Sequence, residues 1–180
     1  NHVFHNLILQ CFTRITGLRT TNQIVDNIYF LRGLQALITG FTILYSWKFS
    51  KLFTFKINAN LLIVILLTTI PFLNFSLQIR GYMLSTLLLL MLIYYTLFYL
   101  KSGVKSLWVP VLVALLFYTI PSNLYFILAA GIGLIYCLYK GWKDKDLILR
   151  HRVVTLIVLY LVGLIIGLSL YYPVLENVFF

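Results

Sequence analysis

Six long apolar runs separated by short polar gaps constrain this chain more than any other feature, because no water-soluble fold of this size can bury that many. A helix needs about 20 mostly apolar residues to cross a bilayer. The runs fall at 28–47, 57–78, 81–100, 107–120, 123–139 and 153–172. The gaps are as informative as the runs. All eight lysines lie in three of them: Lys48, Lys51 and Lys56; Lys101 and Lys105; Lys140, Lys143 and Lys145. The last gap also holds Arg150 and Arg152. The other cations are Arg14, Arg19, Arg32 and Arg80, placed where the chain emerges on the opposite side. Such a bias orients a membrane protein with its lysine gaps inside.

Composition agrees on the solvent. The chain is 62% hydrophobic and 10% charged, with a mean hydropathy of +0.98. A net charge of +10 would suggest nucleic acid for a soluble protein. Here ten of fourteen cations flank apolar runs, so topology accounts for them and nucleic acid is not an expected partner. Cys11 and Cys137 fall on different sides of this layout and read as apolar packers. Three histidines and two cysteines show no ligand spacing, so no metal site is assigned. No Walker loop, zincin helix or Ser–His–Asp set occurs. The chain lacks an initiator methionine and a signal-peptide pattern, and it stops inside the aromatic run Asn177-Val178-Phe179-Phe180. It is therefore expected to be a fragment of a longer membrane protein.

Residues 107–139 pose the topological question. They are too many for one ordinary span, even with tilt. As two short spans broken at Pro121-Ser122-Asn123, they leave ten Lys/Arg inside and four outside. As one span, they flip the following gap and the count becomes five against nine. The hairpin is preferred, giving an all-α integral membrane fold of about six transmembrane helices, residues 28–180. Pro110 is tolerated because the first helical turn has no intrahelical donor to lose. The Leu-rich run Leu87–Leu92 reads as lipid-facing span.

Residues 1–27 read as an extracytoplasmic juxtamembrane segment. Val3, Phe4, Leu7, Ile8, Cys11, Phe12 and Ile15 recur at helical spacing, with His5, Asn6, Gln10, Thr13 and Arg14 opposite. That predicts an amphipathic helix lying in the outer interface, closed by Gly17 and followed by a polar connector over 18–27.

The outer side carries the residues with chemical potential. Arg80-Gly81-Tyr82 sits between two apolar runs with almost no loop, so its guanidinium must snorkel, pair or bind. As a function, it would grip a phosphate as a fork; as an anchor, it would fix a span end. Gly81 allows the backbone to turn or approach a ligand closely. Arg32 begins the first span and either faces an outer cavity or snorkels to headgroups. Asn1 and His2 open the amphipathic helix on the same side, with His5 a turn on. The Tyr118–Tyr125 stretch places a proline break at membrane depth, which is tolerated only where protein or water satisfies the freed backbone. Asp144 and Asp146 read as part of a solvated inner charge cluster, and Asp26 and Glu176 lack a neighbouring carboxylate for paired acid–base work.

The order of these features resembles polytopic GT-C glycosyltransferases, the protein-mannosyltransferase and lipid-A aminoarabinose-transferase superfamily. Asn1-His2 before an apolar helix ending at Gly17 is similar to their "NHP-L…G" stretch, although Val3 stands in place of the proline. Leu31-Arg32 resembles "lR-lps", Arg80-Gly81-Tyr82 "s-R-gY", Tyr118-Thr119-Ile120-Pro121 "Yt-P", and Tyr172-Pro173 a further "YyP". The resemblance implies a GT-C-like fold and a membrane enzyme that moves a sugar from a polyprenyl-phosphate donor to a glycan, lipid or protein acceptor. The chemistry would occur on the extracytoplasmic face of a bacterial inner membrane or an endoplasmic-reticulum-type membrane. It implies that Arg80, Tyr82, Arg32, His2 and Asn1 hold the lipid phosphate and substrate. The family's catalytic carboxylate would lie upstream of residue 1, so the catalytic residue is unknown here. A divalent metal ion is an optional assistant, with no ligand assigned. The contrasting expectation is a multispan transporter or flippase component without glycosyl-transfer activity, which predicts pseudo-repeats between the halves and helices broken near the midplane.

Overall fold

A computed structural model describes residues 3–18, 20–52, 59–104 and 107–179. Among them no strand occurs. In chain order the helices are α1 (Val3–Ile15), α2 (Thr21–Asp26), α3 (Ile28–Leu52), α4 (Ala59–Thr68) and α5 (Ile70–Leu77). After them come α6 (Gly81–Ser102), α7 (Trp108–Thr119), α8 (Leu124–Lys143) and α9 (Leu147–Phe179). A 3₁₀ turn, Pro121–Asn123, leads into α8. Four stretches are long and apolar enough to cross a membrane: α3, α6, Pro121–Lys143 and Leu147–Pro173. The chain divides into two units, residues 1–90 and 91–180, with the boundary inside α6.

In the first unit α1 forms where its periodicity predicts, and Gly17 ends it. Gly17 takes φ 75°, its N–H donates to Arg14 O at 3.2 Å, and the Leu18 N–H donates to Thr13 O at 2.9 Å. This double closure is the Schellman arrangement, which needs a left-handed residue. The inward face of α1 differs from the expectation. His5, expected on the polar side, is 1% exposed, whereas Leu7 and Ile15 are 47% and 84% exposed. At 100° per residue His5, Leu9, Phe12 and Thr16 share one face, and Leu7, Cys11 and Ile15 form an apolar row on another. Only the place of His5 differs from the expectation: it is packed into the protein, while Leu7, Cys11 and Ile15 form an outward apolar row.

The stretch expected as a polar connector contains α2. Thr20 accepts from the Gln23 backbone N–H at 3.3 Å, and the Gln23 side chain accepts from the Thr20 N–H at 3.2 Å. This reciprocal capping box satisfies donors that a six-residue helix would otherwise leave to water. The expected span over 57–78 starts outside the described residues and is interrupted at Thr69, whose extended backbone (φ −74°, ψ 133°) separates α4 from α5. Pro71 lies in the first turn of α5, where a missing N–H costs least. The Thr68 and Thr69 hydroxyls donate back to Ile65 O and Leu66 O at 2.9 and 2.8 Å, occupying carbonyls that the break frees.

The run Leu87–Leu92 is also corrected. Leu87, Leu88 and Leu92 are buried, with Leu92 fully enclosed. A helix apolar on all sides carries no stripe from which its lipid face can be read.

The second unit is organised around α9. Its buried Val153, Leu156, Tyr160, Gly163 and Gly167 follow a 3-4-3-4 spacing, the seam of closely packed helices. Gly163 lies against Pro110 and Val113 of α7, and Gly167 against Ala114 and Phe117. Both series ascend together, so α7 runs parallel to α9. The second half of α6 runs antiparallel to α9: the Arg152 guanidinium donates to Leu100 O, and further along Thr96 Oγ1 and Tyr160 Oη bond at 3.0 Å. From α8, Asp146 N–H donates to Gly141 O at 2.9 Å across a tight turn into α9. The chain thus reverses at the Pro121 break. α7 has only 12 residues, about 18 Å of helix. The helix expected over 153–172 is longer at both ends and passes through Pro173 without stopping.

Candidate functional site

In the first unit the expected site residues flank one polar tie. Gln35 is 3% exposed, and its Nε2 donates to Phe75 O at 3.1 Å. Gln35 lies near the start of α3 and Phe75 near the end of α5, so the bond joins the two ends expected to emerge outside. Arg32 stands one turn before Gln35, and Arg80 follows Phe75 just beyond α5. Both are exposed, and neither guanidinium has a hydrogen-bond or ion-pair partner among the described residues.

Arg80 precedes α6, its N–H bonded to Gln78 O at 2.8 Å in a bend that lets the chain re-enter at a buried Gly81. Tyr82 is 38% exposed and its ring leans on Phe75 with centroids 5.4 Å apart. The tie and the ring pair hold this corner, leaving the arginine head free to meet an anion. Asn1 and His2, also expected here, lie outside the described residues, as do Arg19, Lys56 and Lys105. An open cavity of about 510 Å³ lies where α1 and α2 meet, lined by Gln10, Thr13, Arg14, Leu18 and Ile24. Arg14, read as an ordinary interfacial cation, is the charged group on its wall.

In the second unit the Tyr118–Pro121 stretch and the end of α9 come together. Tyr171 meets Phe117 and Tyr118 edge-on, with centroids 5.8 and 6.4 Å apart. The break itself is satisfied internally. Asn123 is 4% exposed and its Nδ2 donates to Leu116 O at 2.8 Å, while Thr119 Oγ1 donates to Leu115 O at 2.7 Å. These bonds fulfil the condition for irregular backbone at membrane depth.

The lysine-bearing ends carry aromatic partners. Lys48 lies over Tyr45 at 5.1 Å, Lys51 over Trp47 at 3.5 Å, and the Arg150 guanidinium over Trp142 at 4.8 Å. Cations stacked on aromatic rings at helix ends suit a membrane–water boundary. Three features escaped sequence reasoning: the Gly163/Gly167 seam, the Thr20–Gln23 box and the Arg152 clamp on α6. The first two had signals in the G-x-x-x-G and T-x-x-Q spacings. Among the described residues no three His, Cys, Asp or Glu side chains gather as metal ligands.

The fold defines the class: an all-α protein whose longest helices suit a membrane interior. Comparison with protein-family models, curated proteins and solved structures gives no match to this chain.

Proposed function

We propose that this chain belongs to a membrane glycosyltransferase of GT-C type, which moves a sugar from a polyprenyl-phosphate donor to an acceptor on the extracytoplasmic face. The observation that carries the reading is the pair of unpartnered, exposed guanidiniums, Arg32 and Arg80, flanking the Gln35–Phe75 bond at the lysine-free ends of α3 and α5. An arginine left free at a span end, where its charge is costly, has reason to be there when an anion visits. Departure of a lipid phosphate leaves negative charge on oxygen, and a fixed guanidinium stabilises that charge as it develops. In this reading Arg80 grips the phosphate, Tyr82 hydrogen-bonds beside it, Arg32 assists, and His2 and Asn1 border the cavity. The general base is unassigned. The chain crosses the membrane about six times, with α4–α5 and α7 as the shorter crossings, and the alternating helix directions in the second unit support that count.

The test is donor turnover in membranes containing the full-length protein. Arg80→Ala should reduce transfer by about 10²–10³-fold with insertion and abundance unchanged, the usual loss for a group that stabilises a developing oxyanion. Arg80→Lys should recover only part, because an ammonium cannot form the two-pronged contact. Normal turnover by Arg80→Ala would end the assignment. The break at Thr69 favours a second reading, since discontinuous helices line substrate paths in transporters. Under that reading, Arg80→Ala and Thr69→Leu would alter lipid-linked substrate flux in vesicles that catalyse no transfer.

A further inference from the structure

The C-terminal end of α6 holds a cluster that the proposed function leaves unused. Arg152 Nη1 donates to Leu100 O at 2.7 Å and to Lys101 O at 3.0 Å, carbonyls in the last turn of α6. A helix C-terminus carries orphan carbonyls and partial negative charge, so that corner of the guanidinium is committed. The opposite edge, Nε and Nη2, has no partner among the described residues. Gly103 leaves room for it. It takes φ 75°, and a Cβ there would lie 2.7 Å from Nη2 and 3.2 Å from Nε. A side chain at 103 would therefore cover the edge that glycine leaves open.

Gly103 and Arg152 line a cavity of about 430 Å³ with Tyr99, Leu147, Ile148 and His151. Tyr99 is only 3% exposed, yet its hydroxyl has no hydrogen-bond partner among the described residues. The hydroxyl is not among the buried unpartnered side-chain atoms of the described residues, so it keeps access to the cavity it lines and can donate to an acceptor bound there. The rim is apolar, with Leu147 and Ile148 exposed by 71% and 66%. Lys101, Lys140, Lys143, Lys145 and Arg150 belong to the same cation-rich end, against Asp144 and Asp146. Asp146 already accepts from the Leu149 N–H at 2.9 Å as the cap of α9.

We propose that this cavity binds the phosphodiester headgroup of an anionic phospholipid from the lysine-side leaflet. The free Nε–Nη2 edge of Arg152 takes two phosphate oxygens as a fork, the geometry arginine offers such anions. The Tyr99 hydroxyl donates to the same group, and Leu147 and Ile148 lie against the glycerol and upper acyl chain. The apolar rim selects a lipid over free phosphate, and basic pockets between helices on this side of a membrane suit such headgroups.

The experiment is native mass spectrometry of the purified chain offered equal amounts of dioleoyl phosphatidylglycerol and dioleoyl phosphatidylcholine. The wild type should retain phosphatidylglycerol in preference by roughly tenfold: both lipids carry the phosphodiester, but the quaternary ammonium of phosphatidylcholine is repelled by the cations around the site. Tyr99→Phe and Ile148→Glu leave the Arg152 clamp on α6 intact. Tyr99→Phe should lower retention of phosphatidylglycerol severalfold, and Ile148→Glu, which places a carboxylate at the rim, should bring the preference to about parity. Equal retention of both lipids by the wild type would overturn the proposal, as would phosphatidylglycerol retention unchanged in Tyr99→Phe together with a preference unchanged in Ile148→Glu. Displacement of phosphatidylglycerol by millimolar inorganic phosphate would also overturn it, by making the site one for a free anion.

Discussion

Gly163→Ala tests the packing of the second unit most sharply. A methyl on Gly163 would sit 2.6 Å from Pro110 O, 2.7 Å from Val113 Cβ and 3.0 Å from Pro110 Cα. Two of those atoms are backbone of a ring-locked residue, and Val113 is fully enclosed, so none can swing aside cheaply. Forcing a methyl into a packed contact costs about 1–3 kcal/mol. Alanine recovers roughly 0.5–1 kcal/mol of helix propensity over glycine. The net expectation is a loss of up to about 2.5 kcal/mol, an apparent Tm lower by up to roughly 10 °C on the scaling for chains of this size. At Gly167 the nearest atoms lie 3.2–3.3 Å away, a milder crowding that the propensity gain nearly cancels. Gly133 has nothing within 4 Å and serves as the control, since alanine there should stabilise slightly. Thermal unfolding of the purified variants in one detergent gives the ranking. Gly163→Ala as stable as Gly133→Ala would refute the parallel α7–α9 register.

Asn123→Ala removes the buried donor to Leu116 O and should cost about 1–3 kcal/mol in the same unfolding assay. A Thr96→Val, Tyr160→Phe double-mutant cycle should return a coupling of about 0.6 kcal/mol and below about 1.7, the range of interhelical bonds in membranes. Coupling of zero would mean the Thr96–Tyr160 bond does not persist. Thr20→Ala should destabilise α2 by about 0.5–2 kcal/mol, seen as faster amide exchange across residues 21–26 with the global Tm unchanged.

Which elements sequence reasoning reached follows from how local their causes are. The starts of α3 and α6 and the Pro121 reversal are set by long apolar runs and by proline, both visible along the chain. Gly17 was legible as a terminator because a positive φ is a property of the residue itself. The break at Thr69 was not, since a proline near a span end reads equally as a first-turn residue of a new helix. His5 was misplaced on α1 because its burial depends on which of two apolar stripes finds a partner. The candidate site divided along the same line. Arg32 and Arg80 stood out as exceptions to a charge rule, whereas Gln35–Phe75 and the Arg152 clamp join residues far apart in sequence and carry no local mark.

The parallel packing of α7 on α9 also sets an order of assembly. Chain synthesis runs from the N-terminus, so α7 is complete before the glycine surface that receives it has been made. Until Gly163 and Gly167 emerge, a helix of 12 residues with its Leu116 carbonyl tied back by Asn123 must wait without its main neighbour. The Asn123 bond is local enough to close first, which makes the Pro121 corner a holding point during insertion and α9 the segment that locks the bundle.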